Sequence, residues 1–237
     1  KVMPDAHRSL ECALPEQQSD CRSQKRMWQS EVALPDDTGG WQDHLNLQDD
    51  SFPSVESVEA DFAQFDEFKQ AKLLADYLNG LEELHPEMWS NLSIEEKEEV
   101  FQRIERQFSE VARRPEMKIE IEELSPGIHG FIDWRGKRIV INACLLSSDT
   151  PDDLRTSVKT LIHEGRHAYQ LSNVVIKRTE PNIERFKAWT TNLQTGYKNA
   201  AQFGFQAYYM QPIEVDARTF SENVVSQLKL GERSSLV

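Results

Sequence analysis

Residues 163–167 read His163-Glu164-Gly165-Arg166-His167, and they follow a stretch that begins Thr-Pro-Asp-Asp at residues 150–153. Thr150 is a suitable N-cap, proline is favoured at the first helical position, and acidic residues suit the first turn. The sequence therefore predicts a helix over residues 151–172. On such a helix His163 and His167 lie one turn apart on the same face.

This spacing is typical of a catalytic zinc site. Two histidines at i and i+4 bind the metal, and the glutamate between them serves as the general base of a metalloprotease. A catalytic zinc takes three protein ligands, keeps one position for water and lowers the pKa of that water to about 7. We therefore predict His163 and His167 as zinc ligands and Glu164 as the base that accepts a proton from the metal-activated water. Gly165 costs about 1 kcal/mol relative to alanine in a helix interior, which indicates that a backbone or a ligand approaches closely there.

The third ligand has to come from another segment. The residues after the motif lack the third histidine of the metzincin pattern. A predicted last helix, residues 212–230, carries two candidates, Glu214 and Asp216. Two residues apart on a helix, these carboxylates point to nearly opposite faces, so only one can reach the metal. The other could orient a histidine ring or pair with Arg166 or Arg218.

Four side chains are chemically able to donate a hydrogen bond to the oxyanion of a tetrahedral intermediate: Tyr208, Tyr209, Tyr169 and His129. Tyr208 and Tyr209 are the favoured catalytic candidates because they closely precede the carboxylate helix. The alternative for each tyrosine is a place in the core with its hydroxyl satisfied.

The remaining pattern predicts an α+β fold that is mostly helical, with a small antiparallel sheet preceding the HExxH helix. Residues 117–124 alternate apolar and charged side chains, which predicts a strand. A hairpin is predicted over residues 128–133 and 138–142, with its turn at residues 134–137. Further helices are predicted over residues 55–78, 94–113 and 181–203, the second of them opened by a capping box of Ser93 and Glu96.

Residues 1–52 are polar, rich in proline and without a regular pattern. We expect a disordered or loosely docked tail or linker there, and one folded domain over residues 53–237. Because the chain opens with lysine and not methionine, we expect a missing N-terminal region or delivery domain. A tail residue in the fourth metal position, such as Cys12, Cys21, His7 or His44, would make a latent enzyme.

Composition limits the partners. The net charge of -13 and the pI of about 5.0 argue against nucleic acid, which needs a basic footprint. The sequence contains no apolar run of about 18 residues, so a soluble chain without a membrane span is expected. The sequence does not indicate whether the protein is located inside or outside the cell. Three scattered cysteines are typical of ordinary thiols in a reducing compartment, with a Cys12–Cys21 disulfide as the alternative.

The motif, together with residues 139–142, 168–170 and 211–217, resembles the compact gluzincin metallopeptidases. Within them, it is most similar to bacterial peptidase-like domains of toxins and effectors. The resemblance covers roughly residues 117–230. It implies a zincin-like fold, with His163, His167 and Glu214 as zinc ligands and Glu164 as general base. It also implies that an edge strand of the hairpin, residues 130–133 or 138–142, holds an extended peptide.

The expected function is therefore zinc-dependent hydrolysis of peptide bonds in a protein substrate. Two alternatives remain. One is a catalytically inactive zincin-like module with an interaction or regulatory role, which would bind metal and turn over no peptide. The other is a metal-dependent hydrolase of a non-peptide amide, for which the same ligands would serve.

Overall fold

The computed structural model describes residues 29–32, 67–148 and 150–230 of the 237-residue chain. The strands are β1 (Gln29–Val32), β2 (Lys118–Glu122), β3 (Ile128–Asp133) and β4 (Arg138–Asn142). The helices are α1 (Glu67–Asn79), α2 (Pro86–Trp89), α3 (Ile94–Ala112), α4 (Ala143–Leu146), α5 (Pro151–Val175), α6 (Ile183–Thr195), α7 (Ala200–Phe203), α8 (Phe205–Tyr209) and α9 (Pro212–Val225). The fold is mostly helical with a small mixed sheet, in keeping with the predicted α+β class.

The sheet has the strand order β1-β3-β4-β2. Strands β3 and β4 form the predicted antiparallel hairpin, with Gly130 opposite Ile141. Strand β2 instead pairs with β4 in parallel, and β1 pairs with β3 in parallel, so the prediction of an antiparallel sheet is wrong for both of these pairs. The chain reverses direction once between β2 and β3 and again between β3 and β4, so β2, on the other side of β4, runs in the same direction as β4.

The same strand order corrects the implication that a hairpin strand forms an edge of the sheet. Strand β4 has neighbours on both sides, and the outer side of β3 is paired with β1. Strand β1 falls within the predicted tail. The rest of residues 1–52, including Cys12, Cys21, His7 and His44, lies outside the described residues. Cys144 is disulfide-bonded, so the prediction of a free thiol is wrong at that position.

Capping explains where the long helices begin. The Ser93 hydroxyl accepts from the backbone N–H of Glu96 at 3.2 Å, and the Ser93 N–H donates to the Glu96 carboxylate at 2.7 Å, which is the predicted capping box. Thr150 caps α5 by accepting from the N–H of Asp153 at 3.2 Å. Each cap satisfies donors that the first turn leaves unpaired.

Two predicted helices are shorter in the structure. The helix predicted over residues 181–203 ends at Thr195, because Gly196 has φ +114° and turns the chain before the short α7. The last helix ends at Val225, before residue 230. The helix predicted over residues 55–78 is described as Glu67–Asn79, and residues 55–66 lie outside the described part.

Helix α5 runs through the centre of the core, against α9, β3 and α3. Its apolar face is buried, at Leu154, Val158, Leu161, Ile162 and Leu171. A Cβ at Gly165 would lie 2.6 Å from the Phe108 ring, so the close approach that this glycine allows is made by a side chain of α3. Within residues 67–148 and 150–230, every helix is too short or too polar to cross a membrane.

Candidate metal centre

Helices α5 and α9 bring three ligand side chains to one point. The Nε2 atoms of His163 and His167 are 3.0 Å apart. The carboxylate of Glu214 faces both nitrogens, with Oε2 at 3.4 Å from Nε2 of His163 and Oε1 at 3.4 Å from Nε2 of His167. A tetrahedral zinc with Zn–N distances of about 2.0–2.1 Å separates its ligands by about 3.3 Å. The spacing of these three side chains therefore fits a zinc ion.

The electrostatics of the three groups favour a cation. Burial lowers the pKa of His163 to about 4. Burial acts in the same direction on His167, but the neighbouring Glu214 carboxylate outweighs it and raises the pKa of His167 to about 9. For Glu214, burial would raise the pKa, but the two imidazoles hold it well below its ordinary value. Without a metal, His167 is thus an imidazolium beside an ionised carboxylate, and a metal cation at Nε2 would replace the proton on that nitrogen.

Glu164 is fully buried beside these ligands. Among the described residues, neither of its carboxyl oxygens accepts a hydrogen bond of good geometry. The backbone N–H of Ile132 lowers the pKa of Glu164 only slightly. Burial raises the pKa of Glu164 to about 8. A carboxylate with a pKa near neutrality can both accept and release a proton at physiological pH. Glu164 thus has the chemistry of a general base.

Gln170 fixes the ring of His167. Its Nε2 group donates to the carbonyl of Ile213 at 2.9 Å and to Oδ2 of Asp216 at 2.7 Å. Both of these partners accept only, so the amide oxygen of Gln170 faces Nδ1 of His167, at 2.8 Å. The Nδ1 atom therefore carries the proton, and Nε2 is directed toward His163 and Glu214. Metal-binding histidines are commonly oriented in this way through the ring nitrogen that does not bind the metal.

Asp216, the other candidate for third ligand, lies away from the imidazoles and pairs with Arg166. Nε and Nη2 of Arg166 donate to its two oxygens at 2.8 and 3.1 Å. The guanidinium is buried against the rings of Tyr169 at 4.7 Å and Phe220 at 4.6 Å. This is one of the two partnerships expected for the carboxylate that does not bind the metal. Asp216 thereby supports Gln170 and, through it, His167.

Three of the four candidate oxyanion donors reach the pocket at this site. Tyr208 is buried and donates to Oε2 of Glu214 at 2.9 Å. Tyr209 lines the pocket, as does His129, whose pKa is lowered by burial. Tyr169 does not line this pocket, because its hydroxyl donates to Glu180 at 3.3 Å. The pocket is lined by His129, Lys159, Thr160, His163, Glu164, Tyr208, Tyr209, Glu214 and Arg218.

Tyr197 is a site residue that the sequence did not indicate. Its hydroxyl donates to Oε1 of Glu214 at 2.6 Å. The sequence predicted a helix through this position, whereas the break at Gly196 carries Tyr197 back to α9. A glycine in the middle of a predicted helix was the available signal for this turn.

Comparisons with known protein families, with curated proteins and with solved structures found no match to this chain.

Proposed function

We propose that this chain is a zinc-dependent metallopeptidase that hydrolyses peptide bonds of a protein substrate. The observation that carries the proposal is the convergence of His163, His167 and Glu214 within 4.8 Å of one another. The buried Glu164 follows the first of these ligands in the chain. A catalytic zinc site has three protein ligands and a carboxylate base beside them, whereas a purely structural site has four protein ligands.

Glu164 is the proton carrier of the proposed reaction. A bound zinc would supply Lewis acidity and lower the pKa of water at the site. Glu164 takes a proton as the water oxygen attacks the carbonyl carbon of the substrate. It delivers that proton to the amide nitrogen as the C–N bond breaks, which yields a free acid and an amine. Delivery of this proton restores Glu164 as a base, and the carboxylic acid product then releases the second proton of the water to solvent.

Tyr208 and Tyr197 hold the third ligand. Each donates its hydroxyl to a different oxygen of Glu214. Because both bonds hold the carboxylate facing the imidazoles, we assign these tyrosines a positioning role. Tyr209 lines the pocket, and the structure gives its hydroxyl no bond to Glu214, so Tyr209 keeps the proposed role of oxyanion donor.

We also propose that the chain has a zincin-like fold and that it is a peptidase domain of a toxin or effector. The zincin-like fold is supported by the hairpin before the HExxH helix and by the carboxylate on a later helix. The toxin or effector role is supported by the resemblance of residues 117–230 to bacterial peptidase-like domains.

Glu164→Gln tests the proposal. The amide keeps the shape of the side chain but cannot accept the proton, so zinc content should be unchanged while cleavage falls at least about 100-fold. The zinc-loaded chain and the variant are incubated with an unfolded protein such as casein, and new N-termini are counted by mass spectrometry. Glu110→Gln, on the exposed face of α3, is the matched control.

Full cleavage by Glu164→Gln would overturn the assigned mechanism. Bound zinc without cleavage of any peptide by the unmodified chain would overturn the peptidase proposal. That result would favour an interaction module or a hydrolase of non-peptide amides.

A further inference from the structure

Arg218 contributes a positive charge to the wall of the metal pocket. It lies on α9, one turn after Glu214. Its guanidinium carbon is 3.5 Å from the ring centroid of Tyr209, and Nη1 donates to the backbone carbonyls of Tyr209 at 3.1 Å and Glu214 at 3.5 Å. These contacts hold the guanidinium in one position without neutralising it.

No carboxylate among the described residues forms an ion pair with Arg218. Lys159, which lines the same pocket, pairs with Glu222 at 3.0 Å. The buried Arg166 pairs with Asp216 at 2.8 Å. In the part of the chain that the structure describes, Arg218 bonds only to neutral carbonyls, and Nη2 and Nε have no acceptor. A fixed guanidinium with unused donors is suited to bind a carboxylate through two parallel hydrogen bonds.

We propose that Arg218 binds a carboxylate of the substrate beside the bond that is cleaved. This inference rests on the proposed peptidase function and names its substrate class. The carboxylate has two possible sources, an acidic side chain or the C-terminus of the peptide. The chain's net charge of -13 disfavours acidic peptides in general. Selection of a carboxylate therefore depends on a local cation, and Arg218 supplies it.

Binding to a non-hydrolysing chain tests the inference without activity. Zinc-loaded Glu164→Gln is titrated with three fluorescent peptide pools, and binding is followed by anisotropy. The first pool contains glutamate at one position and has an amidated C-terminus. The second pool has glutamine in place of that glutamate and keeps the amidated C-terminus. The third pool has the same glutamine but a free C-terminal carboxylate.

We expect one of the two carboxylate pools to bind at least about tenfold more tightly than the neutral pool, as a charge-assisted pair predicts. Tighter binding of the first pool assigns the carboxylate to a side chain, and tighter binding of the third assigns it to the C-terminus. Adding Arg218→Gln should equalise the pools, whereas Arg135→Gln, in the exposed hairpin turn, should leave the preference intact.

Equal or absent binding of all three pools contradicts the inference. A preference that survives Arg218→Gln also contradicts it, because the zinc ion itself would then bind the carboxylate. The peptidase proposal fails separately, by the absence of cleavage in the unmodified chain. Cleavage without a carboxylate preference would leave that proposal standing and remove this one.

Discussion

The hydroxyl of Tyr197 donates a 2.6 Å hydrogen bond to Oε1 of Glu214, the oxygen that lies 3.4 Å from Nε2 of His167. Tyr208 bonds the other oxygen at 2.9 Å. Burial, followed by the charge of Glu214, raises the pKa of Tyr197 well above its ordinary value, so this hydroxyl stays protonated and remains a donor. The loop after Gly196 therefore takes part in building the proposed metal site.

Tyr197→Phe should weaken zinc binding by about tenfold, since loss of a group that orients a ligand typically costs 10–100-fold in affinity. Competition with a chromogenic chelator measures the change. Tyr77→Phe, on α1, controls for the loss of a hydroxyl elsewhere. Unchanged affinity in Tyr197→Phe would mean that Tyr208 alone positions Glu214.

Gln170→Leu should lower zinc affinity by about 10–100-fold, because the Nδ1–H of His167 loses its acceptor. It should also destabilise the fold by about 1–3 kcal/mol, since Asp216 and the Ile213 carbonyl lose a buried donor. Chelator competition and thermal unfolding separate the two effects. Lowered stability with normal zinc affinity would show that Gln170 supports the helix pair and does not orient the ring.

Glu164 should make the metal-free chain less stable as pH rises. In the folded chain the pKa of Glu164 is about 8, above the ordinary value of 4.5. Between pH 4.5 and pH 8, Glu164 of the folded chain therefore keeps a proton that it has released in the unfolded chain. Stability is therefore lost as pH rises from about 4.5 to about 8. Glu164→Gln should remove this loss of stability. With chelator present, the melting temperature of the variant should therefore exceed that of the unmodified chain by an amount that grows from pH 5 to pH 8. An advantage independent of pH would contradict the raised pKa.

Strand β1 covers the outer side of β3, the strand that contributes His129 to the pocket beside His163 and Glu214. If an extended substrate adds to this side of β3, β1 competes with it. Replacing Ser30 and Glu31 together with proline removes backbone donors that a strand needs. This change should raise kcat/KM for peptide cleavage severalfold. Unchanged kinetics would mean that the substrate binds elsewhere.

Local patterns in the sequence predicted much of the site. The caps of α3 and α5, the hairpin, and the one-turn spacing of His163 and His167 each depend on residues close in the chain. The choice between Glu214 and Asp216 depends on how α9 packs against α5, and helix periodicity indicated only that one of them faces the metal. The packing of the two helices brings Glu214 to the imidazoles and Asp216 to Arg166.

Long-range pairing could not be predicted in the same way. The alternation in residues 117–124 indicated a strand but not the side of β4 on which it lies. The role of Tyr197 depends on a turn at Gly196 and on a contact across 17 residues. The need for glycine at position 165 comes from the Phe108 ring of another helix.

The metal site is tested most directly by the zinc content of the purified chain, measured by elemental mass spectrometry after zinc is added and excess removed. A site with three protein ligands should hold about one zinc per chain. That zinc should be lost in His163→Ala and in Glu214→Ala. Absence of zinc from the unmodified chain, or full retention in both variants, would contradict the assignment of His163, His167 and Glu214 as a metal site.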